Sequence, residues 1–302
     1  MGDKVREFLN KLMKELDFPD EAQRYLEKVN MQLDENVRND FLQMVHQFMK
    51  EDSITGLSVL SGKLDDIAAK VQFSNYTLHL LFLMYCAQPL MDYYRKQDIP
   101  LDIYWNSMRD LTYKLLECKE VYDIWGTFVI EWFEGFYRRQ RFGLGRFQYE
   151  KIAFPFDEYK KGDTTIMKGD TVYNIHIPSS GSMPKELRMD SYRKAYAFYR
   201  NEMEGKPMAI VCHSWLLYPG NRSIFPPHSN LLDFMNDFDI IKSETSDEFS
   251  HAWRIFGKKY NGSTEGLPKK TSLQRAFLDW IERGNPVGNG FGVLLFDGEK
   301  IV

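Results

Sequence analysis

Hydrophobic residues recur every three or four positions through the first 140 residues, which is the spacing of one face of an α-helix. The first such stripe consists of Phe8, Leu9, Leu12, Met13 and Leu16. The spacing, together with proline, serine or aspartate at candidate starts, predicts helices over about residues 1–16, 19–30, 34–48, 54–69, 74–89, 100–117 and 121–138. No run in this half has the alternation of a strand. The prediction is therefore an all-helical N-terminal domain over residues 1–140.

After Arg141 the pattern changes to short β-branched and aromatic runs separated by glycine and proline. Gly143 and Gly145 interrupt the helical pattern, and the chain around Gly162 and Gly169 is rich in turn formers. Strands are predicted at residues 146–154, 171–178, 208–217, 238–243 and 291–296, and helices at 183–200, 230–236 and 272–282. Strands that alternate with single helices indicate a mixed α/β domain over residues 141–302. The predicted fold class is α+β, with the helical domain first.

Charge and cysteine content narrow the class of protein. The 302 residues carry 39 Lys and Arg against 43 Asp and Glu, a net charge of −4, so no nucleic-acid partner is predicted. The 3 cysteines form no CxxC pair and the 6 histidines are scattered, so neither disulfides nor a metal site is predicted. The most apolar run, residues 78–87, is shorter than the ~20 residues that span a bilayer. We expect a cytoplasmic protein with no membrane partner.

A loop rich in serine and glycine follows the predicted 171–178 strand and leads into a helix. It consists of Ser179, Ser180, Gly181 and Ser182, and Lys185 lies in the first turn of the helix. The N–H groups at a helix start favour a phosphate, serine hydroxyls add donors, and glycine allows close approach. The simpler alternative is that Ser180 or Ser182 caps the helix. The sequence leaves both interpretations open.

A second glycine cluster spells Q-x-x-G-x-G with Gln140, Gly143 and Gly145. GNAT acyltransferases use this pattern to hold the diphosphate of coenzyme A. There it follows a strand and opens a helix, whereas here it follows a predicted helix and opens a strand. We interpret the cluster as a turn between helix and strand.

Polar side chains near the strand ends are the candidates for acid–base chemistry. His176 lies beside the serine loop, and His213 and Glu150 lie on other predicted strands. Each could equally be a structural side chain held by one hydrogen bond. Neighbours on a strand point to opposite faces, so neither Cys212 nor Ser214 can pair with His213 as nucleophile and base. A hydrolase would have to pair one of them with His176 or His228 across the fold.

Three segments taken together resemble a known family. They are GLGRFQYEKIAF (143–154), VYNIHIPSSGSM (172–183) and AIVCHSWLLYP (209–219). With the helical first half, they resemble bacterial acyltransferase-domain proteins that have an N-acyltransferase N-terminal helical domain and a GNAT-like C-terminal domain. The resemblance implies that the second domain is a GNAT-like mixed-sheet fold. It further implies that one strand runs into a diphosphate-binding helix start and that the next strand splays away to admit pantetheine.

The resemblance implies an acyl-coenzyme A-dependent N-acyltransferase that transfers an acyl group directly to a small-molecule or peptide amine. The donor would bind at residues 179–182 with Lys185, where SSGS stands in place of the usual R/Q-x-x-G-x-G/A. The base would be His176, His213 or Glu150, in that order, and Tyr218 would be the acid for the leaving thiolate. Two alternatives remain: a catalytically degenerate binding module whose helical domain docks a partner, and a cysteine or serine hydrolase.

Overall fold

The computed structural model describes residues 2–50, 53–203, 205–246 and 248–302. Met1, with which the predicted helical domain opens, lies outside the described residues. The chain divides into two compact units, Met1–Gly143 and Leu144–Val302. No helix in the described ranges is both long enough and apolar enough to cross a membrane.

The first unit is helical, as predicted. Its helices are α1 (Gly2–Glu15), α2 (Asp20–Gln32), α3 (Glu35–Met49), α4 (Leu57–Val71), α5 (Asn75–Lys96), α6 (Leu101–Met108), α7 (Asp110–Tyr122) and α8 (Glu134–Tyr137). The predicted cap Asp34 accepts a hydrogen bond from the N–H of Val37 at 2.9 Å. Helix α5 is buried without interruption over residues 77–87, as expected for a helix that is apolar on every side.

Three predicted helices of this unit were wrong in extent. The predicted 74–89 helix does not end at Pro89 but continues through it to Lys96. The predicted 100–117 helix is divided into α6 and α7, which meet at Arg109. The predicted 121–138 helix does not form, because Asp123 adopts a left-handed conformation (φ 58°) that ends α7. A Cβ at Gly126 would lie 2.4 Å from the carbonyl carbon of Tyr76, so the chain passes in direct contact with the start of α5. A 3₁₀ turn at Ile130–Phe133 and the short α8 follow.

The second unit contains the sheet. Its strands are β2 (Phe147–Ala153), β3 (Glu158–Lys161), β4 (Thr164–Met167), β5 (Thr171–His176), β6 (Met208–Ser214), β7 (Asp239–Ser246) and β8 (Val287–Phe296), and β1 (Arg141–Leu144) spans the boundary between the units. Its helices are α9 (Lys185–Tyr199), α10 (Asn230–Asn236), α11 (Ala252–Phe256) and α12 (Ser272–Glu282). The main sheet has the order β1-β2-β5-β6-β8-β7, and β3 and β4 form a separate hairpin. β5 and β6 are parallel while β2–β5, β6–β8 and β7–β8 are antiparallel, so the predicted mixed sheet is confirmed.

The two faces of the main sheet are covered differently. On one face the side chains of Phe147 and Tyr149 contact α9: the Phe147 ring stacks on Tyr192 at 5.7 Å, and Tyr149 shares a hydrogen bond with Ser191. On the other face the hairpin contributes Tyr159 and other side chains to an apolar cluster. That cluster consists of Phe154, Tyr159, Ile166, Val172, Val211, Phe291, Val293 and Leu295. It leaves the ends of β2 and β5 that carry polar side chains outside the apolar core.

Several details of the second unit differ from the sequence-based expectation. Gly143 lies in β1, which was not predicted, and Gly145 occupies the tight turn into β2 with a left-handed φ of 77°. The Q-x-x-G-x-G cluster therefore joins two strands and not a helix and a strand. The turn-rich segment around Gly162 is the β3–β4 hairpin. β8 begins at Val287, four residues before the predicted start.

Candidate active site

The parallel strands β5 and β6 pair over a short length only. Their register joins Tyr173 to Ile210 and Asn174 to Val211. β5 then continues to His176, while β6 stays paired with β8 as far as Ser214. The two strands are therefore not paired beyond Asn174 and Val211, and this unpaired stretch between them is called the opening. His176 lies on its β5 side, two residues past the last pair.

A carboxylate, an imidazole and an amide meet on one face of the sheet beside this opening. Nε2 of His176 lies 2.7 Å from Oε1 of Glu150, and Nδ2 of Asn174 donates to the same oxygen at 3.3 Å. The register explains the cluster, because Gln148 is opposite His176 and Glu150 is opposite Asn174. Alternate residues on paired strands share a face. The side chains of His176 and Glu150 are 19% and 20% exposed, so solvent reaches both.

The pair has the chemistry of a general base. If Nε2–H of His176 donates to the Glu150 carboxylate, the neutral ring carries its lone pair on Nδ1. A proton taken up there produces an imidazolium whose charge Glu150 stabilises through a charge-assisted hydrogen bond. Asn174 fixes the carboxylate oxygen that makes this bond. The arrangement can accept a proton from a nucleophile placed in the opening.

The serine loop is exposed and leads into α9 without a side-chain cap. Pro184 occupies the N-cap position and makes no side-chain hydrogen bond to the first turn, so the alternative in which Ser180 or Ser182 caps the helix is wrong. The residues of the 179–182 loop are exposed, and Gly181 has a left-handed φ of 93°. Lys185 is exposed in the first turn. This end of the helix presents N–H groups and a lysine ammonium to solvent.

The other predicted catalytic residues lie outside the His176–Glu150 pair. His213 shares the sheet face of His176, but its side chain is 53% exposed and its Nε2 lies 3.6 Å from Oε1 of Glu244. Tyr218 packs on the opposite face, where a Cβ at Gly288 would lie 2.7 Å from its ring. The structure thus brings two of the four candidates together.

Neither hydrolase nucleophile is set up for attack. Cys212 is buried on the α9 face of the sheet, and burial raises the pKa of its thiol to about 12. The Ser214 hydroxyl accepts a hydrogen bond from the N–H of Leu216 at 3.2 Å and caps the 3₁₀ turn after β6. The Cys212 thiol is therefore protonated and inaccessible, and the Ser214 hydroxyl is engaged by a backbone N–H.

Two residues at the site were not singled out from the sequence. Asn174 was on the same predicted strand face as His176, and the alternation was the signal that could have identified it. Arg146 is buried, and its guanidinium donates to backbone carbonyls of the serine loop. Its burial depends on contacts 32 or more residues away in sequence, which a local pattern does not contain. Within the described ranges, no three His, Cys, Asp or Glu side chains are grouped closely enough to hold a metal ion.

Comparison with known families assigns both halves of the chain. Residues 142–294 match the family model of the GNAT-like C-terminal domain, and residues 7–138 match that of the N-acyltransferase N-terminal domain. The resemblance read from the three strand segments is thereby confirmed. No curated protein gives a significant match.

Solved structures with the same fold include acyltransferase complexes. One, described as an acyltransferase in complex with decanoyl-CoA and teicoplanin, has a TM-score of 0.73 and 16% identity, covering 96% of this chain and 88% of that one. Another, in complex with decanoyl-CoA, has a TM-score of 0.71 and 19% identity, covering 94% of this chain and 86% of that one. At these identities the likeness establishes a shared fold.

Proposed function

The chain belongs to the family that joins an N-acyltransferase N-terminal domain to a GNAT-like C-terminal domain, and on this premise we propose that it is an acyl-coenzyme A-dependent N-acyltransferase. The reaction is direct transfer of an acyl group from the thioester to an amine. The donor is acyl-coenzyme A, and the acceptor is a small molecule or peptide that carries a nucleophilic amine.

One observation carries the proposal: the hydrogen-bonded pair of His176 and Glu150 stands at the edge of the opening between β5 and β6. A thioester that enters between the separated strands places its carbonyl carbon beside a base. The uncapped start of α9 and the exposed loop follow directly after β5 in the chain. A phosphate bound there would lie on the connection that links His176 to α9. Acyl-coenzyme A has an acyl end and an anionic end, so it needs a base and an anion site near each other.

The proposed step balances with this chain's own groups. The amine nitrogen attacks the thioester carbonyl carbon, the C–N bond forms, and the carbonyl oxygen becomes an oxyanion. Nδ1 of His176 removes the proton from nitrogen, and Glu150 stabilises the resulting imidazolium. The tetrahedral intermediate collapses, the C–S bond breaks, and coenzyme A leaves as a thiolate that is protonated by solvent. Holding amine and thioester together supplies a large part of the rate.

Neighbouring structures suggest which donors to try first. Acyltransferases of this fold have been solved in complex with decanoyl-CoA and teicoplanin and, as a mutant, with octanoyl-CoA. Medium-chain acyl donors and amine-bearing glycopeptides are therefore the first candidates for this chain, with acetyl-CoA and simple amines for comparison.

The competing function is a degenerate binding module, which the replacement of the usual glycine motif by SSGS favours. The test is to incubate the purified chain with acetyl-, octanoyl- or decanoyl-CoA and a panel of amines. Thiol release and the mass of the acylated product are then measured, with His176→Ala as the matched control. Amine-dependent thiol release that the variant lacks supports the enzyme. No thiol release and no calorimetric heat at millimolar donor would support the binding module.

A further inference from the structure

Arg146 lies beneath the serine loop and donates hydrogen bonds to two of its carbonyl groups and to the carbonyl group of Pro178, which precedes it. Nε donates to the Ser182 carbonyl at 3.1 Å, Nη1 to that of Pro178 at 3.0 Å, and Nη2 to that of Gly181 at 2.8 Å. Arg146 is 9% exposed, whereas the loop that it contacts is exposed. All three nitrogens of the guanidinium are thus directed at one segment of backbone.

These bonds set the direction of the N–H groups on the other side of the same peptide units. In a trans peptide the C=O and the following N–H point in opposite directions, and the described residues contain no cis peptide bond. The carbonyls of 178, 181 and 182 point inward at Arg146. The N–H groups of Ser182 and Met183, which belong to the same peptide units as the carbonyls of 181 and 182, therefore point away from the guanidinium.

A second buried arginine fixes the next carbonyl of the segment. Nη1 of Arg188 donates to the Met183 carbonyl at 2.7 Å, and its Nε donates to Oδ2 of Asp237 at 2.6 Å. The following residue, Pro184, has no N–H to present. The carbonyls of 181, 182 and 183 are thus all held on the inner side by guanidinium groups.

We infer that Arg146 is the positioning residue of the donor site: by holding the carbonyls of Pro178, Gly181 and Ser182 inward, it aims the N–H groups of Ser182 and Met183 at the diphosphate of acyl-coenzyme A. The inference rests on the proposed function. The N–H groups of Ser182 and Met183 are successive in the chain, and successive N–H groups can form a concave anion site. The positive charge of Arg146 behind the loop adds to the attraction without contact with the ligand.

The geometry requires an arginine. Its planar group supplies donors in a fixed fork, which fits three separate carbonyls. A lysine would retain the charge but could not satisfy the same three carbonyls from one compact ammonium. Arg146→Lys and Arg146→Met therefore separate the effect of loop geometry from the effect of charge.

The test compares two donors with the same acyl group, one that contains the diphosphate and one that does not. Acyl-CoA and the corresponding acyl-pantetheine are assayed by thiol release, and the affinities of coenzyme A and pantetheine are measured by calorimetry. For Arg146→Met we expect KM for acyl-CoA and Kd for coenzyme A to rise about tenfold or more, with kcat little changed. Values for the pantetheine donor should stay within about twofold, and Arg146→Lys should fall between wild type and Arg146→Met.

The matched control is Arg138→Met in the helical unit. Arg138 also holds two backbone carbonyls, those of Phe48 at 2.9 Å and Thr55 at 2.7 Å. Its loss should lower thermal stability but leave the preference for acyl-CoA over acyl-pantetheine unchanged. If Arg146→Met does not fold, the same donor comparison is made with Arg146→Lys.

Equal losses on both donors, or no loss on either, would overturn the role of Arg146. The proposed function is tested separately, by the transfer activity and the coenzyme A affinity of the wild-type chain. Wild type that transfers from neither donor, yet binds coenzyme A at least about tenfold more tightly than the Arg146 variant, would overturn the proposed function and support the positioning role. Wild type that binds no coenzyme A would overturn both.

Discussion

Glu150 and His176 are joined across two antiparallel strands, with Oε1 of the glutamate 2.7 Å from Nε2 of the histidine. They are 26 residues apart in sequence, and the pairing of β2 with β5 brings them together. Both side chains lie on the sheet face opposite α9, at the point where β5 leaves β6. This relationship makes His176 a better candidate base than His213, whose carboxylate neighbour is 3.6 Å away on an exposed surface.

Replacing His176 by alanine should lower kcat for acyl transfer by about 10²- to 10⁴-fold, since a positioned general base contributes that much. His213→Ala serves as the comparison and should cost no more than a few-fold. Initial rates of amine-dependent thiol release at saturating donor measure both. A larger loss for the His213 variant would reverse the assignment of the base.

Glu150→Gln keeps the size of the side chain and removes its charge. The imidazolium formed at His176 then loses its carboxylate partner, so we expect kcat to fall about tenfold or more while KM for the donor changes little. The thermal midpoint should be close to that of wild type, because both side chains are reached by solvent. A variant with wild-type kcat would mean that Glu150 has a structural role only.

The three cysteines should be silent toward thiol reagents in the native protein. Burial raises the pKa of Cys118 and of Cys212 to about 12, and it raises the pKa of Cys86. All three thiols are therefore protonated at pH 8, and the residues packed around them keep the reagent away from the sulfur atoms. A disulfide reagent should label none before denaturation and all three afterwards.

Turnover of a Cys212 variant provides a second test of whether this thiol reacts. Cys212→Ala should retain amine-dependent transfer, because the thiol is buried on the α9 face and takes no part in the proposed step. Rapid labelling of Cys212 in the folded chain, or loss of turnover in a folded Cys212→Ala variant, would revive the cysteine-hydrolase alternative.

The ion pair of Arg188 with Asp237 is buried, with the side chains 1% and 11% exposed. Asp237→Asn leaves a buried guanidinium without its counter-charge, and we expect the free energy of unfolding to fall by about 3–5 kcal/mol. Replacing both partners by apolar residues of similar volume should cost less than the single change. Chemical denaturation of the single and double variants measures whether the single change costs more stability than the double change. Equal stability of both variants and the wild type would mean that the pair behaves as a surface ion pair.

Gly288 should not tolerate a side chain. A Cβ there would lie 2.1 Å from the carbonyl oxygen of Glu244 and 2.7 Å from the ring of Tyr218. Gly288→Ala is expected to destabilise the chain by about 1–3 kcal/mol or more through overpacking. Gly62→Ala is the matched control: the position lies inside α4 with no atom within 4 Å of the added Cβ, so it should stabilise by about 0.5–1 kcal/mol. Thermal unfolding midpoints that move in the same direction for both variants would contradict this account.

Local patterns in the sequence determined much of the fold. The helical spacing of apolar residues predicted most of the first unit because helices such as α1 and α3 bury one stripe, a property of neighbouring residues alone. The predicted helices at 230–236 and 272–282 agree with α10 and α12, whose capping residues Ser229 and Thr271 bond their own first turns. Strand alternation over the predicted 171–178 strand is also enough to put Asn174 and His176 on one face, without knowledge of any contact.

The tertiary structure decided which of these residues meet. The register of β2 against β5 sets Glu150 beside His176, and a shift of one residue would have sent one of them to the other face. β8 contains Gly288, Gly290 and Gly292, although glycine has a low strand propensity. The segments at 217–218 and at 238 pack so closely against this strand that a Cβ at these positions would collide with them. Arg146 reaches carbonyls 32 to 36 residues away. Such contacts depend on how distant segments pack, and this packing cannot be predicted from the spacing of residues along the chain.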